Sequence, residues 1–213
     1  MDRFARATGP MKAFIFDLDG TLVDSVYAHT LAWQAALSEF GMSCPAWAIH
    51  RRIGMSGTLL VKAFAREQRR TLSDADIDRL GERHGRLFHA LAPSCRPLPG
   101  AMELLAYLSE SRISYGIATS GKPQEIESSL NGLSLSPSAV VVDGSMVHEV
   151  KPEPDLFLLC QQKRNVEPKD CTVVGDAVWD IQAARRSSTW KVKRNCLFAP
   201  CAARRHRLSR QRR

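Results

Sequence analysis

The string Asp17-Leu18-Asp19-Gly20-Thr21 sets two carboxylates two positions apart at the end of an apolar run, Met11–Asp17 (M-K-A-F-I-F-D). In extended backbone, side chains two apart project to the same side, so both acids face one crevice if the strand conformation continues. Gly20 then permits a sharp turn that a Cβ would hinder. Two unneutralised carboxylates held this close repel, and one of their pKa values rises strongly. Either a divalent cation resolves the conflict, or the two acids divide the roles of nucleophile and proton carrier between them. A surface Asp-x-Asp-Gly turn is the bland alternative, and few such turns follow a buried apolar strand.

The elements that must position these acids follow from the hydrophobic pattern. Short apolar runs recur at Ile113–Thr119, Ala139–Asp143 and Cys171–Asp176, and all four runs end in Asp or Thr. Between them lie helical patterns at Gly100–Ser109, Pro123–Leu130 and Pro154–Lys163. Strands alternating with helices form βαβ units. The expected fold is therefore α/β, a Rossmann-like parallel sheet with helices on both faces. In such a sheet the site lies outside the carboxyl ends of the strands.

One stretch breaks the alternation. Residues 24–95 hold no convincing strand but carry helical segments at Val26–Phe40, Thr58–Arg69 and Asp74–Leu91, the last with Asp74 as its expected N-cap. In the first segment Val26, Thr30, Trp33, Leu37 and Phe40 recur at spacings of three and four, an amphipathic face. A helical cap inserted directly after the first strand accounts for this pattern, and Pro97, Pro99 and Gly100 mark the return. Residues 11–23 and 96–194 then make a discontinuous catalytic core, 24–95 the cap, and 195–213 a basic tail expected to be disordered.

Composition excludes several classes. The 213 residues are 44% hydrophobic and 24% charged, ordinary values for a globular chain rather than a fibrous or disordered one. No apolar run approaches the ~20 residues of a membrane span. The N-terminus lacks the apolar core of a secretory signal, so a cytoplasmic protein is expected. The six cysteines form no Cys-x-x-Cys pair and read as reduced thiols. The formal charge of +8 is a property of the end of the chain. All 22 acidic residues lie at or before Asp180, while residues 185–213 hold 11 of the 30 Lys and Arg, so residues 1–184 carry 19 basic against 22 acidic side chains.

With these residues in order, the chain resembles the haloacid dehalogenase superfamily, in its helical-capped branch of phosphatases and β-phosphoglucomutase-like enzymes. The resemblance covers roughly residues 11–186. Its four motifs correspond to Asp17 through Thr21, to Thr119-Ser120-Gly121 ending a strand, to Lys151-Pro152, and to Gly175-Asp176 with Asp180. The resemblance implies an aspartyl-phosphate on Asp17, with Asp19 protonating the leaving alcohol and then activating water. It implies Mg²⁺ held by Asp17, by the backbone carbonyl of Asp19 and by Asp176, with Asp180 a ligand or a neighbour of one. Thr119 and Ser120 would hold the transferring phosphoryl oxygens, and Lys151 would supply fixed positive charge. Dehalogenation is disfavoured, because members of that kind need no metal and keep no acid where Asp19 stands.

In the cap, His29 and Trp33 lie four apart on one helical face. Trp33 is expected to pack in the cap core, and His29 to approach Asp19 when the cap closes. Arg51-Arg52-Ile53-Gly54-Met55-Ser56-Gly57 resembles a substrate loop, with Arg52 a candidate for substrate binding. A mutase would carry an Arg where Gly57 stands, to grip a second phosphate. Hydrolysis of a small phosphorylated metabolite, such as a sugar phosphate or a phosphoglycolate-like ester, is therefore favoured over a phosphomutase. The protein is expected to act as a monomer or homodimer.

After Ala184 the pattern fails. Thr189–Arg194 reads as a poor edge strand, and Ala199–Arg213 is Arg-rich and poor in apolar residues. The abrupt change suggests replacement of the original C-terminus, for instance by a shift of reading frame. A catalytically idle scaffold whose basic tail binds nucleic acid is the competing class. It is disfavoured, since Trp190 and Phe198 are the tail's only stacking residues and no binding motif is present.

Overall fold

A computed structural model describes residues 13–187 and the backbone of a short strand at Lys191–Val192. The sheet is built from β1 (Ala13–Phe16), β2 (Ser114–Ala118), β3 (Val140–Val142), β4 (Cys171–Val174) and β5 (Lys191–Val192). Its order is β3-β2-β1-β4-β5, and every pairing is parallel. The chain runs outward from β1 on one side, then returns to build β4 and β5 on the other. The switch therefore falls beside the carboxyl end of β1, where a parallel sheet opens a crevice.

Alternation along the strands sorts side chains to two faces. Phe16 of β1, Tyr115 and Ile117 of β2 and Val174 of β4 pack against α5 (Ala101–Glu110) and α6 (Pro123–Gly132). Ala13, Ile15, Ala118, Cys171 and Val173 face the other way. They pack on α7 (Asp155–Arg164) and α8 (Val178–Arg186) through Leu156, Phe157, Cys160, Ala183 and Ala184. Of the expected first strand, Met11 and Lys12 lie outside the described residues, as does the tail 195–213. The expected edge strand at 189–194 is described only as β5, whose backbone pairs with β4.

Between β1 and α5 stand four helices: α1 (Val26–Glu39), α2 (Ala46–His50), α3 (Gly57–Glu67) and α4 (Asp74–Leu91). They share a core of their own, in which Trp33, Leu37, Ile49, Leu60, Phe64 and Leu80 are buried. Trp33 packs there as expected. The short α2 carries too few residues to show a helical period in the sequence. Two connectors join this unit to the sheet and pair with each other, Asp24 N–H donating to the Arg96 carbonyl and Leu98 N–H to that of Leu22, both at 2.9 Å. Among the described residues no helix is long and apolar enough to cross a membrane, and Cys44, Cys95, Cys160 and Cys171 are free thiols.

The N-cap of α4 is Ser73, one residue before the expected Asp74. The Ser73 hydroxyl accepts from Asp76 N–H at 3.2 Å while the Asp76 carboxylate accepts from Ser73 N–H at 3.1 Å. This reciprocal box leaves Asp74 as the first helical residue. Ser73→Ala is expected to lower stability by about 1 kcal/mol in urea unfolding, and Asp74→Ala by less.

Candidate active site

Backbone hydrogen bonds carry the ladder one residue past the strands and so aim the side chains at their ends. Asp17 N–H donates to the Val174 carbonyl at 2.9 Å, and Thr119 N–H to that of Val142 at 3.0 Å. Both residues are buried, and with Asp19, Ser120 and His29 they line a cavity of about 510 Å³ between sheet and cap helices. Asp17 and Asp19 thus meet in one crevice.

Lys151 is the centre of the arrangement. Its side chain is fully buried, and its Nζ pairs with Asp17 Oδ1 and lies 2.9 Å from Asp180 Oδ1. Carboxylate oxygens of Asp17, Asp176 and Asp180 lie within 4.8 Å of one another. Two glycines permit that convergence. Gly20 has φ +81°, and a Cβ there would collide with the Asp176 carboxylate and Val26; a Cβ on Gly175 would strike the Asp180 carboxyl. Thr21 Oγ1 donates to Asp176 Oδ1 at 3.2 Å, and Asp180 Oδ2 accepts from Ala177 N–H at 3.0 Å at the start of α8.

The electrostatics follow from crowding. Burial dominates at Asp17, and the charges of Asp180, Asp176 and Asp19 add to it. Against the attraction of Lys151, they hold its carboxyl well above the usual range. Asp176 stands at the exposed rim, yet desolvation of its carboxyl and the charge of Asp180 push it up to about 6. Burial opposes the charge on Lys151, but Asp17 and Asp180 outweigh it and raise the ammonium above an ordinary lysine. Asp19 differs from its neighbours. Burial disfavours its charge, yet His29 and the Ser25 hydroxyl, which donates to Oδ1 at 2.6 Å, hold it below the usual range.

The donor set suits a hard divalent cation. Asp17 Oδ2 and Asp180 Oδ1 are buried with no hydrogen-bond partner, three acids converge there, and one lysine can balance only part of the charge they would carry together. Oxygen ligands and surplus negative charge are what Mg²⁺ requires.

His29 on α1 reaches the core, with its Nε2 3.3 Å from Asp19 Oδ1. Ser120 Oγ donates to the Gly54 carbonyl of the cap at 3.4 Å. Arg52 lines the same cavity; its guanidinium pairs with Glu67, donates to the Ala48 carbonyl at 3.0 Å and lies 4.4 Å from the Phe64 ring centre. Sequence reasoning gave no role to Ser25, Thr21, His84 or Glu125. Ser25 and Thr21 sit inside the first motif and their hydroxyls were the available signal; His84 and Glu125 meet only through tertiary packing.

The site thus combines a parallel α/β core, a helical cap at the mouth of its crevice and an acid cluster around one lysine. The family model of haloacid dehalogenase-like hydrolases matches residues 14–192. Hexitol phosphatase A of Escherichia coli is 34% identical over 78% of this chain and 74% of its own length. A phosphoglycolate phosphatase of Rhodospirillum rubrum is 33% identical over 82% and 75%. The crystal structure of a hydrolase from Pseudomonas syringae superposes with a TM-score of 0.79 at 41% identity, covering 82% of this chain and 80% of that one. The chain belongs to the haloacid dehalogenase-like hydrolases, and it is an enzyme of the phosphoric monoester hydrolase class to which both phosphatases belong.

Lys151→Met leaves Asp17 and Asp180 buried without their cation, and is expected to cost about 3–5 kcal/mol near neutral pH. Without the attraction of the lysine the buried Asp17 carboxyl takes up a proton more readily, so the deficit should shrink as pH falls. Urea unfolding at neutral and mildly acidic pH checks both the size and the direction.

Proposed function

We propose that the protein is a Mg²⁺-dependent phosphatase that hydrolyses a small phosphorylated metabolite, a sugar phosphate or phosphoglycolate-like ester, through an aspartyl-phosphate on Asp17. The observation that carries this reading is the buried Asp17 carboxylate, whose Oδ2 has no hydrogen-bond partner, set between Lys151 and the acids of α8 and its approach. Asp17 and Asp176 would hold the ion with the backbone carbonyl of Asp19. Asp180 Oδ2 accepts from Ala177 N–H and its Oδ1 faces the Lys151 ammonium at 2.9 Å, which supports a role beside the ion. Bound there, Mg²⁺ supplies the positive charge that lets a phosphate dianion approach clustered carboxylates.

The residues then divide the work. Thr119 and Ser120 at the end of β2 hold phosphoryl oxygens, and Lys151 fixes the Asp17 carboxylate and screens the developing charge. Asp17 attacks phosphorus while Asp19 passes to the departing alkoxide a proton it shares with His29 Nε2, 3.3 Å away. Asp19, now a base, takes a proton from water as that water displaces Asp17 from phosphorus. The cap, residues 24–95, covers the crevice and limits access of bulk water.

Hydrolysis rather than phosphoryl migration is supported by the cap interior. A Cβ at Gly57 would lie 2.9 Å from the Trp33 ring, so no side chain at this position has room to grip a second phosphate. Arg52, the nearest substitute, is paired with Glu67. The free thiols are compatible with a cytoplasmic setting.

Release of phosphate from an aryl phosphate with Mg²⁺, abolished by Asp17→Asn, is the expected result. Absence of turnover on every phosphate ester by the folded protein overturns the reading, and retention of the phosphoryl group on a sugar product would favour a mutase. A second expectation concerns the ion. Asp176, raised from 3.8 to about 6, is disfavoured as an anion in the native state. Its contribution therefore erodes stability as pH rises through that window, and a bound cation reverses the loss. The gain in Tm on adding Mg²⁺ should be larger near neutral pH than at about pH 5; equal gains would contradict it.

A further inference from the structure

Behind His29 the cap carries a second histidine to which the proposed reaction assigns no task. His84 of α4 is buried, and its Nε2 lies 3.1 Å from His29 Nδ1. Its Nδ1 faces the Oε1 atom of Glu125 at 3.5 Å. Glu125 belongs to the first turn of α6, on the sheet side of the crevice, and its Oε2 accepts from Lys122 N–H at 3.0 Å. Aromatic neighbours fix both rings. His29 stacks on Phe88 at 3.7 Å and His84 on Trp33 at 4.1 Å between centres. A line of four side chains, Asp19, His29, His84 and Glu125, thus runs from the core through two cap helices and back to the core.

The direction of the hydrogen bonds in this line follows from the chemistry of its ends. An ionised carboxylate only accepts. Burial disfavours the Glu125 anion, but His84 and Lys122 N–H outweigh that and hold it below the usual range; burial likewise holds His84 below an ordinary imidazole. A neutral His84 facing that carboxylate carries its proton on Nδ1 and presents a bare Nε2. His29 must then donate from Nδ1, so the neutral ring presents a bare Nε2 that accepts from a protonated Asp19. It is the ring carrying a proton on both nitrogens that holds Asp19 below the usual range.

We propose that His84 and Glu125 are positioning residues: through the His84–His29 hydrogen bond and the 3.5 Å contact between His84 and Glu125 they set the tautomer and ring orientation of His29 against Asp19. The inference rests on the reading of Asp19 as proton carrier. It also makes Glu125 a tether from α6 to the cap helix that carries His84, so the cap's seat and the proton position are set by one contact.

Glu125→Gln is the discriminating change. The side chain is isosteric, but one of its two ends now donates. Lys122 N–H cannot reverse and takes the amide oxygen, so the NH₂ group faces His84 Nδ1. His84 is driven to the opposite tautomer, and the His29 proton moves from Nδ1 to Nε2. In the full-length protein with Mg²⁺ and an aryl phosphate, kcat is expected to fall by about 10- to 100-fold with KM little changed. The Tm should stay near the parent value. Histidine ¹⁵N spectra should show both ring protons relocated. Glu125→Asp, which keeps an acceptor-only group, should retain the parent tautomers and more of the activity. Parent kcat in Glu125→Gln, or unchanged histidine tautomers, overturns the proposal. Asp19→Asn separates the two claims: full turnover in that variant refutes the role of Asp19, while the ¹⁵N spectra of Glu125→Gln still decide whether Glu125 sets the tautomer.

Discussion

One buried lysine ammonium among carboxylates sets the conditions for everything around it. Lys151 is wholly shielded from water, and a charge in that position survives only if its partners repay the lost hydration. Asp17 comes from the end of β1 and Asp180 from the first turn of α8, so the ammonium ties two separate elements of the sheet layer together. The repayment is incomplete in one respect. Three carboxylates share one cation, and an oxygen of Asp17 is left without any donor. A site selected only for stability would replace such a group by packed apolar side chains. Retaining it, with two glycines cleared to let the acids converge, is the mark of a pocket that becomes comfortable only when further positive charge arrives.

The same lysine also reaches the cap through its backbone. Ser56 N–H donates to the Lys151 carbonyl at 3.0 Å, and Ser120 Oγ reaches the Gly54 carbonyl on the same loop. Cap and core therefore touch at residues adjoining the chemistry. Movement of the cap by a loop's width would alter the loop over Lys151 and the distance from His29 to Asp19 together. On the proposed reading, water exclusion and proton handling are coupled, since the elements over the crevice carry the group that faces the acid.

What the sequence disclosed and what it hid divide along the range of the interactions. Asp17 and Asp19 could be read together because their separation is fixed by extended backbone, two residues apart. The strands were legible because β1, β2 and β4 are short apolar runs, whereas the break in pattern after Ala184 falls in a region described mainly through the backbone of β5. The pairing of Arg52 was hidden, since its partner Glu67 lies fifteen positions later in the chain. His84 and Glu125 were invisible for the corresponding reason. Neither belongs to a local pattern, and His84 meets its partner His29 across 55 positions of chain. Ser73 was missed by one residue because Asp and Ser both cap helices, and only the reciprocal contact from Asp76 decides between them.

Trp33 shows why the cap cannot be divided into packing residues and specificity residues. Its indole is buried among Leu37, Leu60 and Phe64 in the cap core, yet its edge lines the cavity, its ring stacks on His84, and it fills the space a side chain at position 57 would need. A smaller residue at position 33 would open room for a second anionic group on the substrate. It would also remove the surface that holds His84 in line with His29 and leave a void in the helical core. A lineage moving from hydrolysis toward phosphoryl migration would therefore have to change position 33 together with position 57, because each alone destabilises the cap before it alters what the cavity accepts. Under the proposed function, the choice of acceptor, water or a second hydroxyl, would in this sense depend on the cap's hydrophobic packing as much as on the acids below it.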